Sequence, residues 1–285
     1  MFGDMVSLLW APFLMCLVLT GIHAYLGIHV IAREVVFVDI AMAQIAALGA
    51  TAAFLVGYEL DSWVSYTIGV AATLVGALVL AITRSRERRV SQEAVIGIVY
   101  AVSAAAAILL SDRAPHGAEH VRAMLVGNVL AVQGVEVLEV GMLYAVIGGF
   151  HWLCRKPFLL ISADPEGAYE AGLNIRLWDF VFYASFGAVV TSSVRIAGVL
   201  LVFSYLIVPA LAGIVLGGGT VVRRLIIGWT FGTLVSVIGI TLSAVLDLPT
   251  GATVVCAFGL TLLVGWSMAH AGWLRVASRS TAARV

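Results

Sequence analysis

The sequence predicts an all-α fold: one transmembrane domain over residues 1–285, built as a polytopic bundle of about nine helices. Of its residues, 62% are hydrophobic and only 11% are charged, whereas soluble domains contain about 25% charged residues. The hydrophobic residues fall in long runs, and a helix needs about 20 mostly apolar residues to cross a bilayer. An open sheet is excluded, because hydrocarbon cannot satisfy the backbone groups at a sheet edge.

Nine apolar segments result when the chain is divided at charged residues and at turns rich in proline or glycine. The first is expected to remain as a helix, because Asp4 stands where a signal peptide has basic residues and the apolar run is too long. The fifth exceeds one straight span, and Gly127, Asn128, Gln133 and Gly134 predict its break into a short and a full helix. The segments cover about 8–31, 36–57, 63–83, 93–111, 124–154, 178–194, 197–216, 225–245 and 251–270.

Basic residues in the connections predict the orientation of the helices. If the N-terminus lies outside, thirteen Lys and Arg residues fall on one side of the membrane and three on the other. The richer side is cytoplasmic by the positive-inside rule, so the C-terminus is expected in the cytoplasm. The thirteen are Arg33, Arg84, Arg86, Arg88, Arg89, Arg155, Lys156, Arg176, Arg223, Arg224, Arg275, Arg279 and Arg284. The three are Arg113, Arg122 and Arg195.

Charge and cysteine content exclude two classes of protein. The net charge is zero and Lys156 is the only lysine, so no basic surface for nucleic acid is expected. Cys16, Cys154 and Cys256 lack the paired spacing of a zinc site or a disulfide framework. The chain is therefore interpreted as a membrane protein without a nucleic-acid partner.

A short cytoplasmic helix is predicted at about 163–173, in the longest cytoplasmic connection. Asp164 can cap the helix, Pro165 suits its first position and Glu166 suits its positive end, while Gly172 can terminate it. A rigid helix between two spans can receive force from a soluble motor, because it moves with its flanking helices. An ordinary capped loop helix would show the same pattern.

Four stretches of the sequence carry a resemblance to a known family. They are 26–49 with Arg33 and Asp39; 93–100; 164–172 followed by Asp179; and 198–210 joined by 246–253. In these stretches the chain resembles the ABC-3 family, the permease subunits of ABC transporters that import zinc, manganese and iron. The resemblance covers nearly the whole chain. It implies a bacterial inner-membrane permease that moves a divalent metal ion by alternating access.

The same resemblance implies the partners. The expected assembly is a homodimer of permeases, with two cytoplasmic ATPases docked on the helix that contains Asp164, Ala168 and Gly172. A periplasmic or lipid-anchored substrate-binding protein is expected to deliver the substrate. The sequence has no G-x-x-x-x-G-K-[ST] motif, so ATP is expected on the partner subunit, and this chain is expected to be no enzyme and to hold no cofactor.

The second helix departs from the family pattern of an Asp and a His four residues apart. Aligned on Arg33 and Gly49, this sequence has Ile40 and Gln44 at those positions. Asp39 is displaced by one residue, which is about 100° around a helix. An amide oxygen is a harder and weaker ligand than imidazole. The substitution therefore favours a different ion, a metal chelate or another small solute, or a path with little binding.

Asp39, Gln44 and His23 are the candidate pathway residues. A carboxylate inside a span is costly and usually faces a cavity or a partner. The alternative for Asp39 is a position near the cytoplasmic interface, where Arg33 would neutralise it. A lone histidine in a helix more often bonds a neighbour than a metal, and this alternative stays open for His23 and for His29.

A loop on the outer side matches the H-x-x-E-H pattern of inverted zinc peptidases with His116, Glu119 and His120. The pattern needs a stable helix and a third ligand, but Pro115 and Gly117 predict a short exposed loop. A metalloenzyme is therefore the disfavoured alternative from another class. Capture of a metal at the mouth of the pathway and an ordinary solvated loop are the other two interpretations.

Overall fold

Eleven α-helices and one 3-10 turn make up the described part of the chain, which contains no strand. The computed structural model describes residues 2–60, 62–84, 90–112, 127, 129–217 and 219–282, with side chains only over 9–265 and at 267 within those ranges. The helices are α1 Phe2–Ala32, α2 Val38–Leu55, α3 Trp63–Ile82, α4 Gln92–Ser111, α5 Gly134–Leu153, α6 Arg155–Ala163, α7 Pro165–Glu170, α8 Ile175–Ala197, α9 Val199–Gly217, α10 Val221–Leu246 and α11 Thr250–Ala282.

Eight of these helices are long and apolar enough to cross a bilayer. They are α1, over Leu9–Ala32, and α2, α3, α4, α5, α8, α9 and α10. The ninth predicted segment forms α11, whose apolar part, Thr250–Gly265, is shorter than the other spans. The all-helical, multi-pass membrane fold is thereby confirmed, with eight full-length spans among the described residues where about nine were expected.

The break predicted in the fifth segment is confirmed. A 3-10 turn at Val129–Ala131 is followed by α5, which begins at Gly134. Gln133 and Glu136 form a reciprocal capping box, in which the Gln133 backbone N–H donates to Glu136 Oε2 at 2.9 Å. The cap fixes the start of the full helix at Gly134, and this helix ends at Leu153. The short helix predicted before the break lies partly outside the residues that the structure describes.

Helix α1 lies at the centre of one half of the bundle, where it packs against α5, α9 and α10. Its buried face includes Met15, Leu19 and Leu26. At Gly27 a Cβ atom would overlap the backbone carbonyl of Leu206 in α9. Only glycine permits this approach, and close backbone contact stabilises helix pairs where lipid gives no hydrophobic drive.

The other half of the bundle is built around α2, α3 and α8. Helix α3 packs against both α2 and α8, and α4 lies against α2. A Cβ atom at Gly49 would lie 2.9 Å from the Gly69 Cα, and one at Gly187 would lie 2.8 Å from Thr73 Cβ. Small residues thus set the spacing on both sides of α3.

Candidate functional site

Asp39 lies in the first turn of α2 and is fully buried. Among the described residues, neither of its carboxylate oxygens has a hydrogen-bond partner. The turn before it is held in place by Glu93 of α4, whose Oε1 accepts from the Phe37 backbone N–H at 3.0 Å. A buried carboxylate without a partner is costly. Such a group inside a membrane helix is a candidate functional residue.

The alternative explanation of Asp39, neutralisation by Arg33, is wrong. The Arg33 side chain contacts α8 instead, where its Nη1 donates to Asp179 Oδ1 at 2.8 Å. Its Nε donates to Ser162 Oγ in α6 at 2.9 Å. The guanidinium carbon also lies 4.1 Å from the centroid of the Phe182 ring. The partner of Arg33 is therefore Asp179, and Asp39 is left unpaired in the part of the chain that the structure describes.

Asp179 joins three parts of the fold at one end of the bundle. Besides Arg33, Asp179 forms an ion pair with Arg84, which lies just after α3. Arg84 Nη1 is 3.2 Å from Asp179 Oδ2. Ser162, which accepts a hydrogen bond from Arg33, also forms one with His29, and its Oγ lies 2.8 Å from His29 Nδ1. Burial lowers the pKa of Arg33, and the nearby Asp179 carboxylate opposes that shift. The sequence marked Arg33 and Asp179 separately but gave no sign that they pair.

His23 lies in the buried part of α1 with both ring nitrogens occupied. Nδ1 lies 2.8 Å from the Leu19 carbonyl oxygen, and Nε2 lies 3.1 Å from Ser193 Oγ in α8. Tyr144 of α5 completes this polar layer through hydrogen bonds to Ser192 and Ser193. These contacts match the hydrogen-bonded alternative for His23, and they fix α1, α5 and α8 relative to one another.

Gln44 is half-buried on α2, five residues after Asp39. That spacing turns the two side chains about 140° apart around the helix. In the described part of the chain, no group of three or more His, Cys, Asp or Glu residues is arranged to hold a metal ion. Asp39 and Gln44 therefore do not form a closed metal site within one copy of this helix.

The predicted cytoplasmic helix is present as α7, Pro165–Glu170. Asp164 is its N-cap, with Oδ1 accepting from the Gly167 backbone N–H at 3.0 Å, and Pro165 occupies the first helical position. After the helix, Gly172 adopts a left-handed conformation with φ of 74°. Each capping residue thus has the role that its chemistry predicted.

Among the residues of the predicted coupling helix, Ala168 is the one that is buried against the rest of the protein. It is fully buried in a cluster with Ile161 of α6 and Ile175 at the start of α8. Glu166 and Glu170 lie on the exposed side of α7. Ala168 therefore attaches α7 to its neighbours, and any partner protein would meet the acidic side of the helix.

Helix α6, Arg155–Ala163, was not predicted, because its apolar stretch is too short to stand out beside the spans. It buries Phe158, Ile161 and Ser162. Ile161 belongs to the cluster that holds α7. Ser162 forms hydrogen bonds with His29, near the end of α1, and with Arg33, just after it. A movement of α7 would thus be passed to α1 and α8 through α6.

The outer loop that was predicted to capture a metal contains His116, Glu119 and His120. These three residues lie outside the residues that the structure describes. Their proposed capture of a metal stays a prediction, as does the hydrolytic alternative.

The fold and the site define a multi-pass helical membrane protein with a short capped helix between two spans and, within another span, a buried carboxylate that has no hydrogen-bond partner among the described residues. The sequence profile of the family described as "ABC 3 transport family" matches residues 5–269. The chain belongs to this family, as the resemblance in its sequence implied.

Two curated relatives support that assignment, and one solved structure shares the fold. The manganese transport system membrane protein MntC of Listeria monocytogenes is 27% identical over 71% of this chain and 70% of its own length. The chelated iron transport system membrane protein YfeC of Yersinia pestis is 24% identical over 92% and 85%. The structure of PsaBC from Streptococcus pneumoniae in complex with Fab shares the fold, with a TM-score of 0.76 at 19% identity over 93% and 95%.

Proposed function

We propose that this chain is the permease subunit of an ABC importer that carries a divalent metal ion across the bacterial inner membrane by alternating access. The observation that carries the proposal is Asp39, a fully buried carboxylate without a hydrogen-bond partner among the described residues, in a span of a transport-family fold. The names of two relatives, which refer to manganese and to chelated iron, support a metal cargo.

The ligand types favour a hard ion. Asp39 offers carboxylate oxygens and Gln44 offers an amide oxygen. Such oxygen ligands suit manganese better than zinc, which favours imidazole. Since the two side chains diverge on the helix, Asp39 would contact the ion at one point of its passage, with water or a second permease copy supplying the other ligands. Iron bound in a chelate is the alternative cargo, because the name of the Yersinia relative refers to chelated iron.

The assembly follows from the same family. Two copies would form the pathway, a binding protein would deliver the ion from outside, and two ATPases would dock on α7 in the cytoplasm. The exposed Glu166 and Glu170 of α7 form an acidic surface for the ATPase, and Ala168 holds that surface in place. The N-terminus would lie outside and the C-terminus inside, as the distribution of Arg and Lys predicts.

The test is uptake of manganese, iron and zinc by the complex reconstituted in vesicles with its ATPase and binding protein. Asp39→Asn removes the carboxylate charge with little change of shape, and we expect manganese uptake to fall about tenfold, or about 1.4 kcal/mol in the barrier. Glu139→Gln, at an exposed position on α5, is the matched control and should transport at the wild-type rate. Wild-type uptake by Asp39→Asn would remove Asp39 from the pathway.

A further inference from the structure

A large apolar groove opens on one side of the bundle, between α1, α5, α6 and α10. Its volume is about 680 Å³, within the range of pockets that enclose a whole organic ligand. Its walls include Val18 and Ile22 of α1 and Leu225 of α10. Most of its lining residues are half-buried or exposed, so the groove is accessible from the side of the bundle.

Glycines keep this groove open. Gly21, Gly141 and Gly148 all line it. A Cβ atom at Gly141 would only touch Val18 at 3.9 Å, and one at Gly148 would only touch Ile22 at 3.8 Å. Helix packing therefore does not require these two glycines, unlike Gly27. Their lack of a side chain instead leaves space along α5 for an apolar chain that does not belong to the bundle.

One end of the groove is cationic. Arg155, the first residue of α6, lines that end together with the first turn of α10, which begins at Val221. Arg155 is exposed, and it forms no salt bridge with any carboxylate in the described part of the chain. Its guanidinium is stacked 4.7 Å from the Trp152 ring and bonds the Trp152 carbonyl, so it is held at the groove. The positive end of the α10 dipole adds to this field.

We propose that the groove binds an anionic phospholipid of the inner leaflet, with an acyl chain along α1 and α5 and the phosphate against Arg155. The orientation proposed above places Arg155 at the cytoplasmic interface, where anionic headgroups are found. Basic pockets between helices on this side of a membrane are known to hold such headgroups. Trp152 and Trp229, which also line the groove, are residues of the type enriched at membrane interfaces.

The lipid has a defined place in the fold. Arg155 begins α6, the helix whose other end carries Ser162 and contacts the α7 cluster. A phosphate bound at Arg155 would fix the start of α6 and so limit the movement that α7 can pass to α1. Asp39 is not among the residues that line the groove, and the proposal does not depend on which ion is transported.

The experiment is native mass spectrometry of the full-length permease, extracted from vesicles of equal palmitoyl-oleoyl phosphatidylglycerol and phosphatidylethanolamine. We expect the wild type to retain phosphatidylglycerol at least fivefold over phosphatidylethanolamine. Arg155→Gln should lose that preference, whereas Lys156→Gln, the matched loss of an exposed positive charge one residue away, should keep it. Gly148→Leu should reduce retention of both lipids, because it fills the groove.

Three results would overturn the proposal. The first is equal retention of phosphatidylglycerol by Arg155→Gln and Lys156→Gln, and the second is no preference between the two lipids in the wild type. The third is the formation of disulfide-linked dimers in membranes by Ala145→Cys, a substitution at a lining residue, when the parent chain forms none. That outcome would show that a second copy of the permease covers the groove.

Discussion

Arg33 and Asp179 form an ion pair with both side chains completely buried, and their Nη1 and Oδ1 atoms are 2.8 Å apart. Leaving a buried charge without any partner costs about 3–5 kcal/mol, but Asp179 keeps Arg84 at 3.2 Å when Arg33 is removed. We therefore expect Arg33→Met to lower the free energy of unfolding in detergent by up to about 3 kcal/mol. Arg176→Gln, an exposed residue of the same helix as Asp179, should change it by less than about 0.5 kcal/mol.

The double variant Arg33→Met with Asp179→Leu separates pairing from simple loss of packing. Replacing both charges with apolar groups removes the unpaired charge, so part of the stability should return. Equal unfolding free energies for Arg33→Met and Arg176→Gln would contradict the importance of the pair.

Gly27 sets the distance between α1 and α9, and Gly149 provides its control. A Cβ atom at residue 27 would overlap the Leu206 backbone, whereas one at residue 149 would meet nothing within 4 Å. Gly27→Ala should cost about 1–3 kcal/mol through overpacking. Gly149→Ala should be neutral or slightly stabilising, because alanine favours a helix. Thermal unfolding of the purified permease measures both, and equal midpoints would contradict the close packing.

Gln44 is expected to influence which ion passes. Gln44→His introduces an imidazole, which binds zinc better than an amide does, so zinc should bind roughly tenfold tighter, or about 1.4 kcal/mol. Tight binding slows release, so zinc uptake should fall relative to manganese. Gln44→Ala is the control and should alter ion preference less than Asp39→Asn does. Competition uptake in reconstituted vesicles gives the result, and an unchanged ratio of ions would show that position 44 is scaffold.

Helix α7 should couple transport to ATP hydrolysis through its exposed acidic side. Glu170→Lys reverses a surface charge without disturbing the buried Ala168 cluster, so it should weaken co-purification of the ATPase while the permease remains folded. Glu59→Lys, an exposed acid in the connection between α2 and α3, should have no such effect. If both variants retain the ATPase equally well, another surface serves as the dock.

Variants that disturb the buried attachment of α7 should give a different result from variants on its exposed side. Ala168→Leu must displace α7 from Ile161 and Ile175, and Gly172→Val must strain a residue at φ of 74°. Both variants should separate ATP hydrolysis from transport, even where the ATPase still associates. The ratio of ion uptake to ATP consumed is the measurement, and an unchanged ratio in both variants would exclude α7 as the coupling element.

The orientation of the spans can be checked with reporter fusions. Fusions after Arg89 and after Arg224 should report a cytoplasmic location, and a fusion at Gly117 should report an external one. The reason is the uneven distribution of the basic residues, which follows the positive-inside rule. An external reporter at Arg89 would overturn the proposed orientation of the whole bundle.

Local physical chemistry explains why much of the fold could be predicted. Spans follow from apolar length, because lipid demands internally satisfied backbones. The cap of α7 follows from Asp164 and Pro165, and the break before α5 follows from the polar Gln133, because these residues act on their own neighbours in the chain. The short α6 was missed, since nine residues give too weak a pattern beside long spans.

The sequence by itself determined the class of protein, the spans and the capped short helix α7, because hydropathy and capping are local properties. It also identified Asp39 as unusual. Only the tertiary structure decided that Arg33 pairs with Asp179 and not with Asp39, since that choice depends on which helix ends meet across 146 residues. The groove at Arg155 likewise exists only because α1, the α5–α6 segment and α10, which are distant in sequence, leave space beside the lining glycines Gly21, Gly141 and Gly148.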